Sequence, residues 1–120
     1  MFKKIIKSFP YAIHGIGYSI KTQVNFRFHV MAAFLALVLS YCLNVSTVEF
    51  LFVLNAIFMV ITAELVNTAV EKTVDLCTSE ICSLAQVAKN VAAGAVLTSA
   101  IFSVVTALII FVPKLVMLWR

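Results

Sequence analysis

Three stretches of the chain, residues 28–43, 47–76 and 84–113, are built so largely from aliphatic and aromatic side chains that water is a poor solvent for them. A helix rises about 1.5 Å per residue, so roughly 20 apolar residues cross the hydrocarbon core of a bilayer. Backbone polar groups cannot stay open in hydrocarbon, and a helix is the element that closes them within one short run. Composition agrees. Of 120 residues 63% are hydrophobic and 12% charged, with a mean hydropathy of +1.11, more apolar surface than a soluble domain of this size can hide. The expected fold is an all-α membrane protein. With three Gly and two Pro in the chain and no linker composition, residues 1–120 read as a single domain. Three short spans bury little among themselves, so self-association is expected.

Ahead of the first span, residues 2–25 mix Lys3, Lys4, Lys7 and Lys21 with Phe9, Ile13, Ile16 and Ile20 at helical spacing. That pattern predicts an amphipathic helix lying in the membrane interface, with Pro10 near its start. It lacks the uninterrupted apolar core of a signal peptide. Between the first two spans, Asn44, Ser46 and Thr47 mark a turn, and Ser46 followed three residues later by Glu49 predicts a capping box. Arg27 is placed to extend the short first span by snorkelling. Ala92, Ala93, Gly94 and Ala95 in the third span are small enough for close helix approach.

Charge sets an expected orientation. Lys3, Lys4, Lys7, Lys21, Arg27, Lys72 and Lys89, seven of the nine basic residues, lie at the N-terminus or near the second connection, against Lys114 and Arg120 beyond the third span. The positive-inside rule then puts the N-terminus and the second connection in the cytoplasm. In a bacterium this membrane is the inner one.

The second span ends in polar residues. At about 100° per residue, Glu64, Asn67, Glu71 and Asp75 fall within roughly 80° of one helix face. A charge near the bilayer centre costs about 3 kcal/mol, so acids there face protein or water and need cationic company. Lys72, Lys89, Arg27 or a divalent ion are the candidates, and carboxylates converging with an amide suit Mg²⁺. The bland alternative keeps Glu71 and Asp75 at headgroup level, paired with Lys72 or Lys89, with Glu64 alone buried and protonated. Lys89 itself reads first as an interface anchor, with a phosphate ligand as the alternative. His14 and His29 read as interfacial rings rather than proton shuttles. Cys42, Cys77 and Cys82 have no zinc-ligand spacing and read as small apolar residues.

Glu64-x-x-Asn67-Thr68-Ala69-x-Glu71-x-x-x-Asp75, followed by Ala88-Lys89-Asn90-x-Ala92-Ala93-Gly94-Ala95-Val96, resembles the prokaryotic integral-membrane diacylglycerol kinase and undecaprenol kinase family. Lys4-Ile-Ile-Lys7 and Asn25-Phe26-Arg27-x-His29 are similar too, so the resemblance spans nearly the whole chain. It implies a homotrimer with active sites shared between neighbours at the cytoplasmic surface. It also implies transfer of the γ-phosphate of MgATP to the hydroxyl of a membrane lipid alcohol, in phospholipid or cell-envelope lipid metabolism, with no P-loop and no nucleic-acid partner. By this resemblance Glu64 matches the catalytic base and Asn67 the amide beside it, while Glu71 matches a magnesium-binding carboxylate. Asp75 and Glu80 match the nucleotide side, Lys89 the phosphate-contacting lysine, and Lys4 and Tyr11 positions bordering nucleotide and lipid.

Two positions depart from the family pattern. Gln23 stands where a second metal-binding Glu is usual, and Asn90 where an Asp is usual on the nucleotide. Each keeps the shape of the carboxylate and loses its charge, which weakens a metal ligand. Alongside an active kinase, the sequence therefore leaves open a catalytically weakened, kinase-like structural or regulatory subunit, and more remotely a transporter whose acidic stripe lines an ion path.

Overall fold

The computed structural model of the chain describes residues 1–80 and 82–119. Arg120, counted above with the outer basic residues, lies outside them. The elements are four helices in sequence: α1 Phe2–Thr22, α2 Val24–Cys42, α3 Thr47–Cys77 and α4 Ser83–Leu118. Helices α2, α3 and α4 are each long and apolar enough to cross a membrane.

The first joint is a single residue. Gln23 adopts an extended backbone (φ −106, ψ 114) that ends α1 and starts α2, four residues ahead of the expected start of the first span. Arg27 clamps this elbow: its Nη1 donates to the carbonyls of Ile20 at 3.1 Å and Lys21 at 3.2 Å. A cation on the last open carbonyls of a helix complements both their lone pairs and the helix dipole. Arg27 therefore serves α1 rather than the acidic stripe.

The second joint is a turn written by Asn44, Ser46 and Glu49. Asn44 takes the left-handed conformation (φ 46), which an Asn tolerates better than most side chains. The Val45 N–H reaches the Ser40 carbonyl at 3.2 Å and the Asn44 N–H that of Tyr41 at 3.3 Å, closing the end of α2 as a Schellman motif. Two residues on, the predicted capping box forms. The Glu49 N–H donates to Ser46 Oγ at 3.2 Å, and the Ser46 N–H to Glu49 Oε2 at 2.6 Å.

Helix α3 packs chiefly on α4 and next on α2. Near the α2–α3 turn, Val53, Ile110 and Phe111 form a buried cluster joined by Ala36, Leu39, Ile57 and Ala107. Deeper in the pair, Ser103 Oγ of α4 donates to the Ala56 carbonyl of α3 at 3.3 Å. Such bonds between membrane helices contribute about 0.6 kcal/mol each. Helix α4 also runs through Pro113 to Leu118, past the end expected at the proline. Proline costs a helix one hydrogen bond, but Lys114, the next residue, pairs with Glu49 at 3.1 Å and ties the following turn to the start of α3.

Candidate active site

The buried face of α3 is Val53, Ala56, Val60, Glu64 and Thr68, spaced three or four residues apart. Glu64 thus continues the core-facing stripe of the helix and is only 2% exposed. Asn67 and Glu71, rotated slightly off that face, are half-buried, and Asp75 is exposed. The polar run is graded, from an interior acid to a surface one.

Each member has a distinct environment. Glu64 Oε1 lies 3.4 Å from His29 Nε2 of α2, close enough for electrostatic attraction but not aligned as a hydrogen bond, so this buried oxygen has no hydrogen-bond partner. Asn67 Nδ2 donates to Glu71 Oε1 at 3.1 Å. Because an ionised carboxylate only accepts, the amide must turn its nitrogen to Glu71, and its buried Oδ1 is left without a partner. Thr68 Oγ1 donates to the Glu64 carbonyl at 2.9 Å and so takes no part in satisfying these side-chain oxygens.

At the exposed end of the stripe, Lys89 Nζ of α4 pairs with Asp75 Oδ1 at 2.6 Å. Both line a cleft of about 200 Å³ together with Thr78, Glu80, Cys82 and Gln86. Three of the nucleotide-side residues expected from the sequence therefore share one cleft: Asp75, Glu80 and Lys89. The Glu80 N–H is held by Thr78 Oγ1 at 3.1 Å, which fixes the loop there. Asn90 is not among the residues lining this cleft; its Oδ1 accepts from Gln86 Nε2 at 2.9 Å.

Other expected site residues lie elsewhere within the chain. Lys4 and Tyr11 are exposed on α1, Tyr11 by 80%, and neither lines the cleft. Gln23 sits at the α1–α2 elbow with its Nε2 directed to Thr22 Oγ1 at 3.3 Å. Among the described residues no group of three or more His, Cys, Asp or Glu is arranged to hold a metal ion. The Asn67–Glu71 pair still suits magnesium, which takes hard oxygen ligands, often one or two carboxylates with water and substrate phosphates completing the shell. The unpartnered Asn67 Oδ1 is the observation that fits such an ion.

His29 is the residue that sequence reasoning placed wrongly in the background. It follows Phe26, buried in α2, by three residues and precedes Ala33 by four, so it belongs to the inner face of that helix. It also lines an apolar cavity of about 270 Å³ between α2, α3 and α4. The α3 wall of that cavity, Val53, Ala56, Ile57 and Val60, stops one turn short of Glu64.

Three helices long and apolar enough to cross a membrane carry a buried glutamate, an amide–carboxylate pair and a lysine-bearing polar cleft along one hairpin, the arrangement expected from the sequence for a small integral-membrane lipid kinase. The chain belongs to the prokaryotic diacylglycerol kinase family, whose model matches residues 10–111. It is 40% identical over 112 residues to the undecaprenol kinase of Bacillus subtilis (strain 168), covering 93% of this chain and 91% of that protein. The diacylglycerol kinase of Synechocystis sp. is 34% identical over 115 residues, covering 95% of this chain and 66% of its own length. The diacylglycerol kinase of Escherichia coli (strain K12) is 30% identical over 105 residues, covering 88% and 86%.

Proposed function

We propose that the protein transfers the γ-phosphate of MgATP to the hydroxyl of a membrane lipid alcohol, with undecaprenol favoured over diacylglycerol. The observation that carries this reading is Glu64, an acid placed on the core-facing stripe of a membrane helix with an oxygen that no other group bonds. A carboxylate held at a buried position of a membrane helix is costly to keep, and accepting a proton from a substrate hydroxyl is a task that accounts for it. The higher identity to an undecaprenol kinase than to the diacylglycerol kinases supports the choice of lipid.

Phosphoryl transfer asks the protein for positioning and charge stabilisation, with little covalent work. Glu64 accepts the hydroxyl proton as the lipid oxygen bonds to the γ-phosphorus and the bond to the β-phosphate oxygen breaks. Asn67 steadies Glu71 through Nδ2 and offers Oδ1. Magnesium, when bound, neutralises the phosphates; Glu71 would hold it, with the amide oxygens of Asn67 and Gln23 as weaker donors. Lys89 exchanges Asp75 for a nucleotide phosphate in the cleft, and Glu80 borders the same space. Asn90, through Gln86, supports its rim.

In this reading α1 lies in the interface, the N-terminus and the α3–α4 loop face the cytoplasm, and the protein sits in the bacterial inner membrane. Lys4 and Tyr11, remote from the cleft of their own chain, serve a neighbour's site in a homotrimer. The weakened-subunit alternative draws support from Gln23, which bonds Thr22 rather than joining Glu71. One assay separates the two: purified protein in lipid with labelled ATP, Mg²⁺ and either undecaprenol or diacylglycerol. Labelled lipid phosphate is expected, most strongly from undecaprenol. No product from either lipid, with the Bacillus relative active in parallel, would sink the kinase reading.

A further inference from the structure

We propose that His29 is the positioning residue of the base: its Nε2–H holds Glu64 Oε1, so that the other carboxylate oxygen, Oε2, is the one presented to the lipid hydroxyl. The inference rests on the kinase reading of Glu64.

A carboxylate on a flexible side chain offers two equivalent oxygens, and a base that is not fixed presents either of them in a range of directions. In a buried site the oxygen turned away from substrate also needs a donor, because an unsatisfied buried acceptor costs about 1 to 3 kcal/mol. The other candidate donors around Glu64 are already engaged. Arg27, on the same helix as His29, bonds the carbonyls of Ile20 and Lys21. Asn67 Nδ2 bonds Glu71, and Thr68 Oγ1 bonds the Glu64 backbone. Lys89, from α4, is held by Asp75. Glu71, the other acid on this face of α3, repels the Glu64 charge rather than stabilising it. His29 Nε2, at 3.4 Å, is the basic group that lies within 4 Å of the Glu64 carboxylate among the described residues.

The imidazole is itself restrained. Phe28 meets it edge to face, with ring centroids 5.7 Å apart and planes at 77°, and both rings line the apolar cavity between α2, α3 and α4. A few tenths of an ångström and a small rotation convert the 3.4 Å contact into a hydrogen bond within the usual 2.7–3.2 Å range. Arrival of the lipid hydroxyl at Oε2 would favour that adjustment, since catalytic hydrogen bonds tighten in the reactive complex.

The test compares His29→Leu, which removes the donor, with His29→Gln, whose Nε2 reaches a similar point. Misplacing a reacting group by about 1 Å can cost on the order of 100-fold. His29→Leu is therefore expected to lower kcat by about 10- to 100-fold with the KM for ATP unchanged. His29→Gln should restore most of it, and adding His29→Leu to Glu64→Gln should cost nothing further. Nitrogen NMR of histidine-labelled protein supplies a readout independent of turnover. The chain has two histidines, so a His14→Gln variant assigns the spectrum, and the His29 Nε2 resonance should move when Glu64 becomes Gln. Full kcat in His29→Leu, failure of His29→Gln to rescue, or an unmoved resonance would each overturn the inference. A wild-type protein that phosphorylates neither lipid would instead overturn the kinase reading, and the resonance would still decide whether His29 holds Glu64.

Discussion

The α3–α4 hairpin carries the same device at its two ends, a lysine of α4 paired with an acid of α3. At one end Lys114 meets Glu49 at 3.1 Å, and at the other Lys89 meets Asp75 at 2.6 Å. Their surroundings differ. Glu49 also closes the capping box with Ser46, and its pair secures the turn after Pro113. Asp75 and Lys89 instead line a polar cleft, next to a loop bearing Thr78 and Glu80 and below a stripe with two unpartnered buried oxygens. An ion pair alone does not announce its purpose; the neighbouring groups, committed in one case and available in the other, distinguish a staple from a candidate site.

Substitutions along the hairpin should therefore separate activity from stability according to position. The largest effect is expected at the inner end of the stripe: Glu64→Gln should lower lipid phosphorylation by about 10² to 10⁴-fold, the range of a lost general base. Assembly size by light scattering should stay unchanged. Next, Lys89→Gln should raise the KM for ATP by about tenfold or more, as expected for loss of a charge-assisted hydrogen bond. Lys114→Gln should leave KM unaltered and lower only the unfolding temperature. A rise in KM from Lys114→Gln equal to that from Lys89→Gln would erase the distinction between the two ends. A smaller effect is expected from Gln23→Glu, which should reduce the Mg²⁺ concentration needed for half-maximal rate. An unaltered metal dependence would place the elbow outside the ion's reach. Ser46→Ala, finally, should cost about 1 kcal/mol of stability, the usual value of an N-cap, with kcat unchanged; a kinetic defect there would show that the two ends communicate.

The residues that were legible in the sequence are those whose information is local. Apolar runs announced α2, α3 and α4, Ser46 and Glu49 announced the cap, and a spacing of three and four residues put Glu64, Asn67, Glu71 and Asp75 on one face. Information carried between helices was not legible. Three cations could have answered the acids, and only packing shows that Lys89 takes Asp75 while Arg27 turns back to α1. His29 and Glu64 are far apart in the chain and meet because the inner faces of α2 and α3 coincide. The elbow at Gln23 was hidden for a different reason: it has neither Gly nor Pro, and is made by one extended residue whose effect is held in place by Arg27.

The Asp75–Lys89 contact has a consequence for the protein between turnovers. A bare ammonium group at the surface of an anionic membrane attracts negative headgroups with about 1 kcal/mol per charge. Lys89 would then be an adsorption site for the very solvent that surrounds it. Asp75, 2.6 Å away, is a tethered counter-ion, and under the proposed function it would yield only to an anion with several charges and further contacts in the cleft. Under the proposed function the resting lysine would in this sense be protected against single phosphates and open to a nucleotide. Asp75→Asn should accordingly make the rate fall as anionic lipid is added to the vesicles, a dependence that the unaltered chain should show only weakly.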